Sequence, residues 1–158
     1  MNLAVLVSGS GTNLQAILDA EKRGELAARV KLGLSNVAGV QSLERAARAG
    51  VPAEVLAHKG FASREAYDDA LIERLRAANV ELVALAGFMR IITPRLLGAF
   101  PGRILNIHPS LLPAFPGLHA QRQALEHGVK VTGCTVHFVD EGCDTGAIVA
   151  QAAVPVLD

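Results

Sequence analysis

The stretch Asn2-Leu-Ala-Val-Leu-Val-Ser-Gly-Ser-Gly-Thr-Asn13 decides the fold class of this chain. Its first half is an almost wholly apolar run, which is typical of a strand covered on both faces of a sheet. Its second half is a glycine-rich turn, and Leu14, Ile17 and Leu18 follow it at helical spacing. A strand, a glycine turn and a helix begin a βαβ unit, which predicts a parallel α/β sheet.

Apolar runs and helical patterns alternate along the rest of the chain. They predict strands at 30–34, 52–56, 81–86, 104–107, 130–139 and 147–156. They predict helices at 41–49, 64–79 and 119–127. The second of these helices is expected to have Ser63 as its N-cap and a buried stripe of Tyr67, Leu71 and Leu75. The predicted fold class is a Rossmann-like, doubly wound α/β sheet, parallel in its N-terminal half with mixed or antiparallel C-terminal strands.

Composition restricts the possible partners. The chain has 158 residues, 51% of them hydrophobic and 19% charged, which favours one folded domain over disorder. Fifteen basic residues balance fifteen acidic ones, so no net charge attracts nucleic acid or an anionic membrane. We therefore expect small-molecule partners, no nucleic acid, no membrane, and either a monomer or a homodimer.

The cysteines and histidines give no sign of a metal site or of secretion. Cys134 and Cys143 fit neither a CxxC nor a zinc spacing, and the five histidines are scattered without an HxxxH pair. The N-terminus leads into the first strand without a basic segment, so it does not resemble a signal peptide. We expect reduced thiols, no metal and a cytoplasmic location.

The glycine turn is a candidate phosphate site. The backbone N–H groups of Gly11, Thr12 and Asn13 would lie at a helix N-terminus, where an anion is stabilised. The alternative is that Thr12 or Asn13 merely caps that helix. Leu14 stands where the dinucleotide fingerprint needs its third glycine, and no GK[ST] sequence follows, so a monophosphate fits better than NAD or ATP.

A second candidate site follows the predicted strand at 104–107. Asn106 and His108 are two residues apart, so an extended strand points both side chains to one face. Prolines then stiffen the loop that follows. The alternative is an Asn and a His that are buried and bonded to the backbone. With an acid from the loop 140–146 beside the imidazole, these groups suit acyl transfer to a substrate amine, since they stabilise an oxyanion and protonate a leaving nitrogen.

The segment Gly87-Phe-Met-Arg-Ile-Ile92 places apolar side chains at the end of a predicted strand. Core packing is the first interpretation of Met89, Ile91 and Ile92. A ligand-binding wall is the alternative, since ligands of α/β proteins bind at the carboxyl ends of strands.

Several of these motifs resemble one known family. Asn106-Ile-His-Pro-Ser-Leu-Leu-Pro113, followed by Phe115-Pro-Gly117 and by Asp144, looks like the folate-dependent formyltransferases. The branch that formylates phosphoribosylglycinamide (GAR) is similar over essentially the whole chain. The similarity extends from the first strand and its glycine turn, through Ala86-Gly-Phe-Met-Arg90, to Val154-Pro-Val156.

The resemblance implies a transferase of purine biosynthesis that moves the formyl group of 10-formyltetrahydrofolate, a co-substrate, to the amine of GAR. It implies three catalytic residues, with His108 as general acid beside a supporting carboxylate: Asn106, His108 and Asp144. It implies that the GAR phosphate is bound by Gly11, Thr12 and Asn13. It implies a folate site that contains Arg64, Met89, Arg90, Ile91, Ile92 and Asn106. The role of His137 stays open.

The resemblance also raises an expectation about domain organisation. Relatives in this family are expected to continue past the position of Asp158 with a long helix and a further strand. We therefore expect residues 1–158 to form a single formyltransferase domain that lacks the C-terminal helix of the family. Two alternatives to the GAR activity are a formyltransferase for another amine, such as methionyl-tRNA or an amino sugar, and a non-catalytic phosphate- or nucleotide-binding module.

Overall fold

The computed structural model describes residues 1–157, which divide into two compact units on either side of the Ile104–Leu105 peptide. The first unit contains four strands and four helices: β1 (Asn2–Val7), α1 (Thr12–Lys22), β2 (Arg29–Ser35), α2 (Gln41–Arg48), β3 (Ala53–Val55), α3 (Arg64–Ala77), β4 (Leu82–Leu85) and α4 (Pro94–Ala99). The boundary falls within β5 (Ile104–His108). The second unit contains the rest of that strand, α5 (Ala120–His127), β6 (Val131–Phe138) and β7 (Ile148–Pro155).

The first unit is built around β1. Its strands are parallel in the order β3-β2-β1-β4, so β1 is paired on both sides. Val5 and Val7 of this strand and Leu14 of α1 are completely buried in one apolar cluster. Burying each such side chain contributes roughly 1.5–3 kcal/mol to folding. The apolar run and the helical spacing that follow one another in the sequence thus meet in one core.

The second unit has an antiparallel pattern, with β6 between β5 and β7. The register places Asn106 of β5 directly opposite His137 of β6. Directly paired residues of antiparallel strands have side chains close together on the same face. All eight residues of β7 are exposed, whereas five of the six residues of β1 are buried.

The predicted fold class is confirmed, with parallel strands in the N-terminal half and antiparallel strands at the C-terminal end. Ser63 caps α3 as predicted, since its Oγ accepts a hydrogen bond from the Ala66 N–H at 3.0 Å. The predicted stripe of α3 is also confirmed, because Tyr67, Leu71 and Leu75 are all fully buried. Across residues 1–157, no helix is both long enough and apolar enough to cross a membrane.

Helix α4 is not predicted by the sequence pattern. This helix has six residues, too few to repeat an apolar pattern. Thr93 begins it, because its Oγ1 accepts from the Arg95 N–H, and Pro94 follows in the first turn. The buried carboxylate of Asp68 accepts hydrogen bonds from both the N–H and the hydroxyl of Thr93, at 2.7 and 2.8 Å. A contact between residues 25 positions apart therefore fixes where α4 starts.

Candidate active site

The imidazole of His108 lies between a carboxylate and a backbone carbonyl. Its Nδ1 is 3.3 Å from Oδ2 of Asp144, and its Nε2 donates a hydrogen bond to the Phe115 carbonyl at 2.8 Å. The side chains of His108 and Asp144 are only 6% and 12% exposed. A ring protonated at both nitrogens would donate to an oxygen on each side. Each ring nitrogen of His108 therefore faces an oxygen that can accept a hydrogen bond.

Asp144 is held in place by the backbone of the proline-rich loop. Its Oδ2 accepts a hydrogen bond from the Gly117 N–H at 2.8 Å, and its own backbone has the uncommon positive φ of 55°. The loop's first acid is used differently: Asp140 Oδ1 accepts from the Gly142 N–H and the Thr145 hydroxyl at 3.0 and 2.7 Å. Asp140 therefore shapes the loop, whereas Asp144 reaches the histidines.

His137 fixes the carboxamide of Asn106. The Nδ1 of His137 donates to the Phe138 carbonyl at 2.9 Å, so in a neutral ring Nε2 is the acceptor. Nδ2 of Asn106 lies 3.2 Å from that nitrogen and donates to it. His137 is 2% exposed, and its Nε2 is also 3.7 Å from Oδ1 of Asp144. Asn106 therefore has one N–H bonded to His137 and a second N–H left for another acceptor.

A buried threonine of β6 holds the proline-rich loop that contains Phe115 and Gly117. The hydroxyl of Thr135 donates to the Ser110 carbonyl at 2.7 Å and accepts from the Leu112 N–H at 3.0 Å. Gln151 of β7 donates to the Leu112 carbonyl at 2.9 Å. These bonds fix the loop backbone, and the loop backbone in turn fixes His108 and Asp144.

The glycine turn places Gly11 at the N-cap of α1. Within residues 1–157 no side chain makes a capping bond to this helix, so the alternative that Thr12 or Asn13 serves as its cap is wrong. Gly11 has a φ of 74°, and a Cβ there would lie 2.5 Å from the Cβ of Ser42. Close packing therefore already requires this glycine, whatever it binds. The first-turn N–H groups point out of a helix end that has no side-chain acceptor.

The segment 87–92 is only partly a core segment, because Phe88 is buried but its apolar neighbours are not. Met89 and Ile91 are 71% and 69% exposed, so core packing is wrong for both, and Ile92 is partly buried. The Met89 N–H donates to Oγ of Ser8 at 2.8 Å, and that hydroxyl donates to Oδ1 of Asn36. The first residue of the glycine turn thus fixes the backbone beside Arg90. Arg64, the first residue of α3, is exposed.

Several contacts of the candidate site carried no sequence signal. The Phe115 carbonyl and the Gly117 N–H are backbone groups, which every residue type except proline possesses in full. The sequence pattern marks Ser8 only as part of the glycine turn. The positive φ values of Phe115 and Asp144, at 52° and 55°, mark the two loops but follow from neither residue type.

The exposed thiol of Cys143 lies beside Asp144, and its pKa responds to the charge of that carboxylate. Partial burial raises the pKa of Cys143, and the carboxylate of Asp144, 3.7 Å from the sulfur, raises it further. Within residues 1–157 no group of three or more His, Cys, Asp or Glu side chains is arranged to hold a metal ion.

Comparison with known proteins identifies the family. A family model described as formyl transferase matches residues 1–158. The chain belongs to the formyl transferase family. It is 61% identical to glycinamide ribonucleotide transformylase 1 of Symbiobacterium toebii, with a TM-score of 0.98 over 100% of this chain and 74% of that one.

Two formyl transferase relatives with known sequences differ greatly in length. Phosphoribosylglycinamide formyltransferase of Escherichia coli K12 is 49% identical over 99% of this chain and 74% of its own length. The trifunctional purine biosynthetic protein adenosine-3 of Drosophila melanogaster is 57% identical over 98% of this chain, which spans 12% of that protein.

Proposed function

We propose that this formyl transferase moves the formyl group of 10-formyltetrahydrofolate to the amine of GAR in purine biosynthesis. The amine nitrogen attacks the formyl carbon, and the bond from that carbon to N10 of the folate breaks. N10 takes up one proton as it leaves, and the attacking nitrogen gives one up. The contact between His108 and Asp144, in a chain of this family, is the observation that carries the proposal.

His108 is the proposed general acid. The imidazolium keeps its Nδ1 proton toward Asp144 and delivers its Nε2 proton to the departing N10, once the bond of Nε2 to the Phe115 carbonyl has been exchanged. The neutral ring that remains still donates from Nδ1 to the carboxylate. Asp144 therefore holds the ring in one orientation throughout, as the carboxylate does in other His–carboxylate pairs.

Asn106 is the proposed stabiliser of the tetrahedral oxyanion. The Nδ2 group that His137 orients has one N–H left to donate to the developing negative charge. A fixed donor of this kind contributes more than a mobile one, because it needs no reorganisation during the reaction. His137 then acts through Asn106 rather than on the substrate.

The proposed binding residues lie in the first unit, except for Asn106. The uncapped first turn of α1 supports phosphate binding by the N–H groups of Gly11, Thr12 and Asn13. The exposed apolar side chains of the segment 87–92 support folate binding. The folate residues are Arg64, Met89, Arg90, Ile91, Ile92 and Asn106. The monomeric or homodimeric state, the cytoplasmic location, the absence of a metal and the single-domain organisation of residues 1–158 stay predictions.

A formyl-transfer assay with purified chain tests the proposal. GAR and 10-formyltetrahydrofolate should give formylated GAR, and the same glycinamide riboside without its phosphate should have a greatly raised KM. Methionyl-tRNA and an amino sugar serve as competing acceptors. If GAR gives no product but one of the competing acceptors is formylated, the acceptor of this enzyme is another amine and not GAR. No product with any acceptor would reject the proposed catalysis.

A further inference from the structure

The guanidinium of Arg90 lies over a buried aromatic ring. Its Cζ is 4.0 Å from the ring centroid of Tyr67, which is fully buried on the inner stripe of α3. The ring of Phe61 meets that of Tyr67 edge-on, with centroids 5.3 Å apart and planes at 81°. Such an edge contact and the cation–π contact both restrict the ring, so Arg90 lies on a rigid platform.

Arg90 has no anionic partner in the part of the chain that the structure describes. No carboxylate among residues 1–157 lies within ion-pair distance of it, and its buried Nε has no hydrogen-bond partner there. Other arginines of the first unit differ: Arg74 is 2.9 Å from Glu54, and Arg95 is 2.6 Å from Asp69. A partly buried guanidinium without a counterion is costly, and a bound anion removes that cost.

The hydroxyl of Tyr67 does not explain the arrangement. It is buried without a hydrogen-bond partner in the described part of the chain, which costs free energy. Burial raises the pKa of Tyr67 to about 12 although Arg90 acts in the opposite direction, so the ring is neutral at physiological pH. The contact with Arg90 therefore involves the face of the Tyr67 ring, and the hydroxyl adds no stabilising hydrogen bond within residues 1–157.

The surroundings of Arg90 indicate an amphipathic ligand. Met89 and Ile91, its neighbours in sequence, are largely exposed apolar side chains. Arg64 precedes Tyr67 by three residues on α3, so both lie on the same side of that helix. An unpaired cation with apolar groups beside it fits a molecule that joins an aromatic body to a carboxylate.

We propose that Tyr67 is a positioning residue that holds Arg90 in place to receive a carboxylate of the formyl donor. The inference rests on the proposed function, because it assigns a role in the donor site of that reaction. Tyr67 touches no substrate and acts only through the orientation of the guanidinium. Phe61 supports it from the side.

Two substitutions separate the ring from its hydroxyl. Tyr67→Phe keeps the ring and removes the unpartnered oxygen, so the KM for 10-formyltetrahydrofolate should stay within about twofold of the parent. Tyr67→Leu removes the cation–π contact and should raise that KM roughly threefold to thirtyfold. The kcat and the KM for GAR should change little in either variant.

Leu71→Ala is the matched control for loss of packing, because Leu71 is equally buried on the same stripe of α3. It should lower the free energy of unfolding without changing the KM for the formyl donor. Urea denaturation of each variant measures that free energy. A donor KM that rises equally in Leu71→Ala and Tyr67→Leu would overturn the positioning role. So would an unchanged donor KM in Tyr67→Leu.

A binding measurement keeps this test separate from the proposed catalysis. The probe is p-aminobenzoylglutamate, which has the donor's glutamate tail but no pterin, and its diamide is the uncharged control. Calorimetry should show the probe binding to the parent and to Tyr67→Phe, and at least threefold more weakly to Tyr67→Leu. Equal binding to both variants, or equal binding of the diamide, would overturn the inference. If the parent protein binds the probe but has no formyl-transfer activity, the proposed reaction is rejected. The carboxylate-binding role of Arg90 and the positioning role of Tyr67 are then still supported.

Discussion

The two candidate sites are held together in opposite ways. In the histidine cluster, defined as Asn106, His108, His137 and Asp144, each side chain is bonded to a named partner, and three of the four side chains are nearly inaccessible. In the glycine turn, residues 8–13, the helix end carries no side-chain cap and is shaped by backbone conformation. Proton transfer requires groups fixed before the substrate arrives, whereas an incoming phosphate requires free N–H groups.

The largest expected effect is in the histidine cluster. His108→Gln removes the acid while keeping a polar side chain of similar size, and turnover should fall by about 10²–10⁴ with little change in the KM for GAR. His119→Asn is the control, because His119 is exposed and asparagine tolerates its positive φ of 57°. Steady-state kinetics decides. Turnover of His108→Gln within tenfold of the parent would remove His108 from the proton transfer.

The next effect separates packing from binding in the glycine turn. Gly11→Ala combines a positive φ with a Cβ that would overlap Ser42, so it should cost about 1–3 kcal/mol of unfolding free energy. A Cβ at Gly9 would meet no other atom within 4 Å, so Gly9→Ala should lower the unfolding free energy by less than about 1 kcal/mol. Urea denaturation measures both. Equal costs at the two positions would contradict the structural explanation of Gly11.

The smallest effect uses Cys143 as a sensor of the charge on Asp144. Because the carboxylate raises the pKa of the thiol, Asp144→Asn should lower that pKa and increase the thiolate fraction at neutral pH. Iodoacetamide should then alkylate Cys143 a few-fold faster, in a Cys134→Ser background that leaves one cysteine. An unchanged or slower rate would mean that Asp144 does not act on the thiol as an anion.

Local patterns in the sequence were enough to predict most of the fold. The apolar run of β1, the serine cap of α3 and the buried stripe through Tyr67 each depend on residues within a few positions of one another. The pairing of Asn106 with His137 needed the register of two strands 31 positions apart, which periodicity does not determine. The bond from His108 to the Phe115 carbonyl depended on a loop path that only tertiary contacts fix.

The same limit explains the wrong core-packing interpretation of the segment 87–92. Met89 and Ile91 look like core residues by type, but exposure depends on what the rest of the chain leaves uncovered. The stacking of Arg90 on Tyr67 joins two elements that are far apart in sequence, and no motif marks it. In both cases the structure departs from the ordinary rule of burial or pairing, and the residue types alone do not show the departure.

A double-mutant cycle on His108 and Asp144 tests the central claim most directly. The quantity measured is kcat/KM for formyl transfer in His108→Gln, Asp144→Asn and the double variant. If the two residues act as one unit, the double variant should be within about threefold of the slower single variant, because the second change removes nothing further. Two losses that multiply in full would show that imidazole and carboxylate act independently, and would contradict the account.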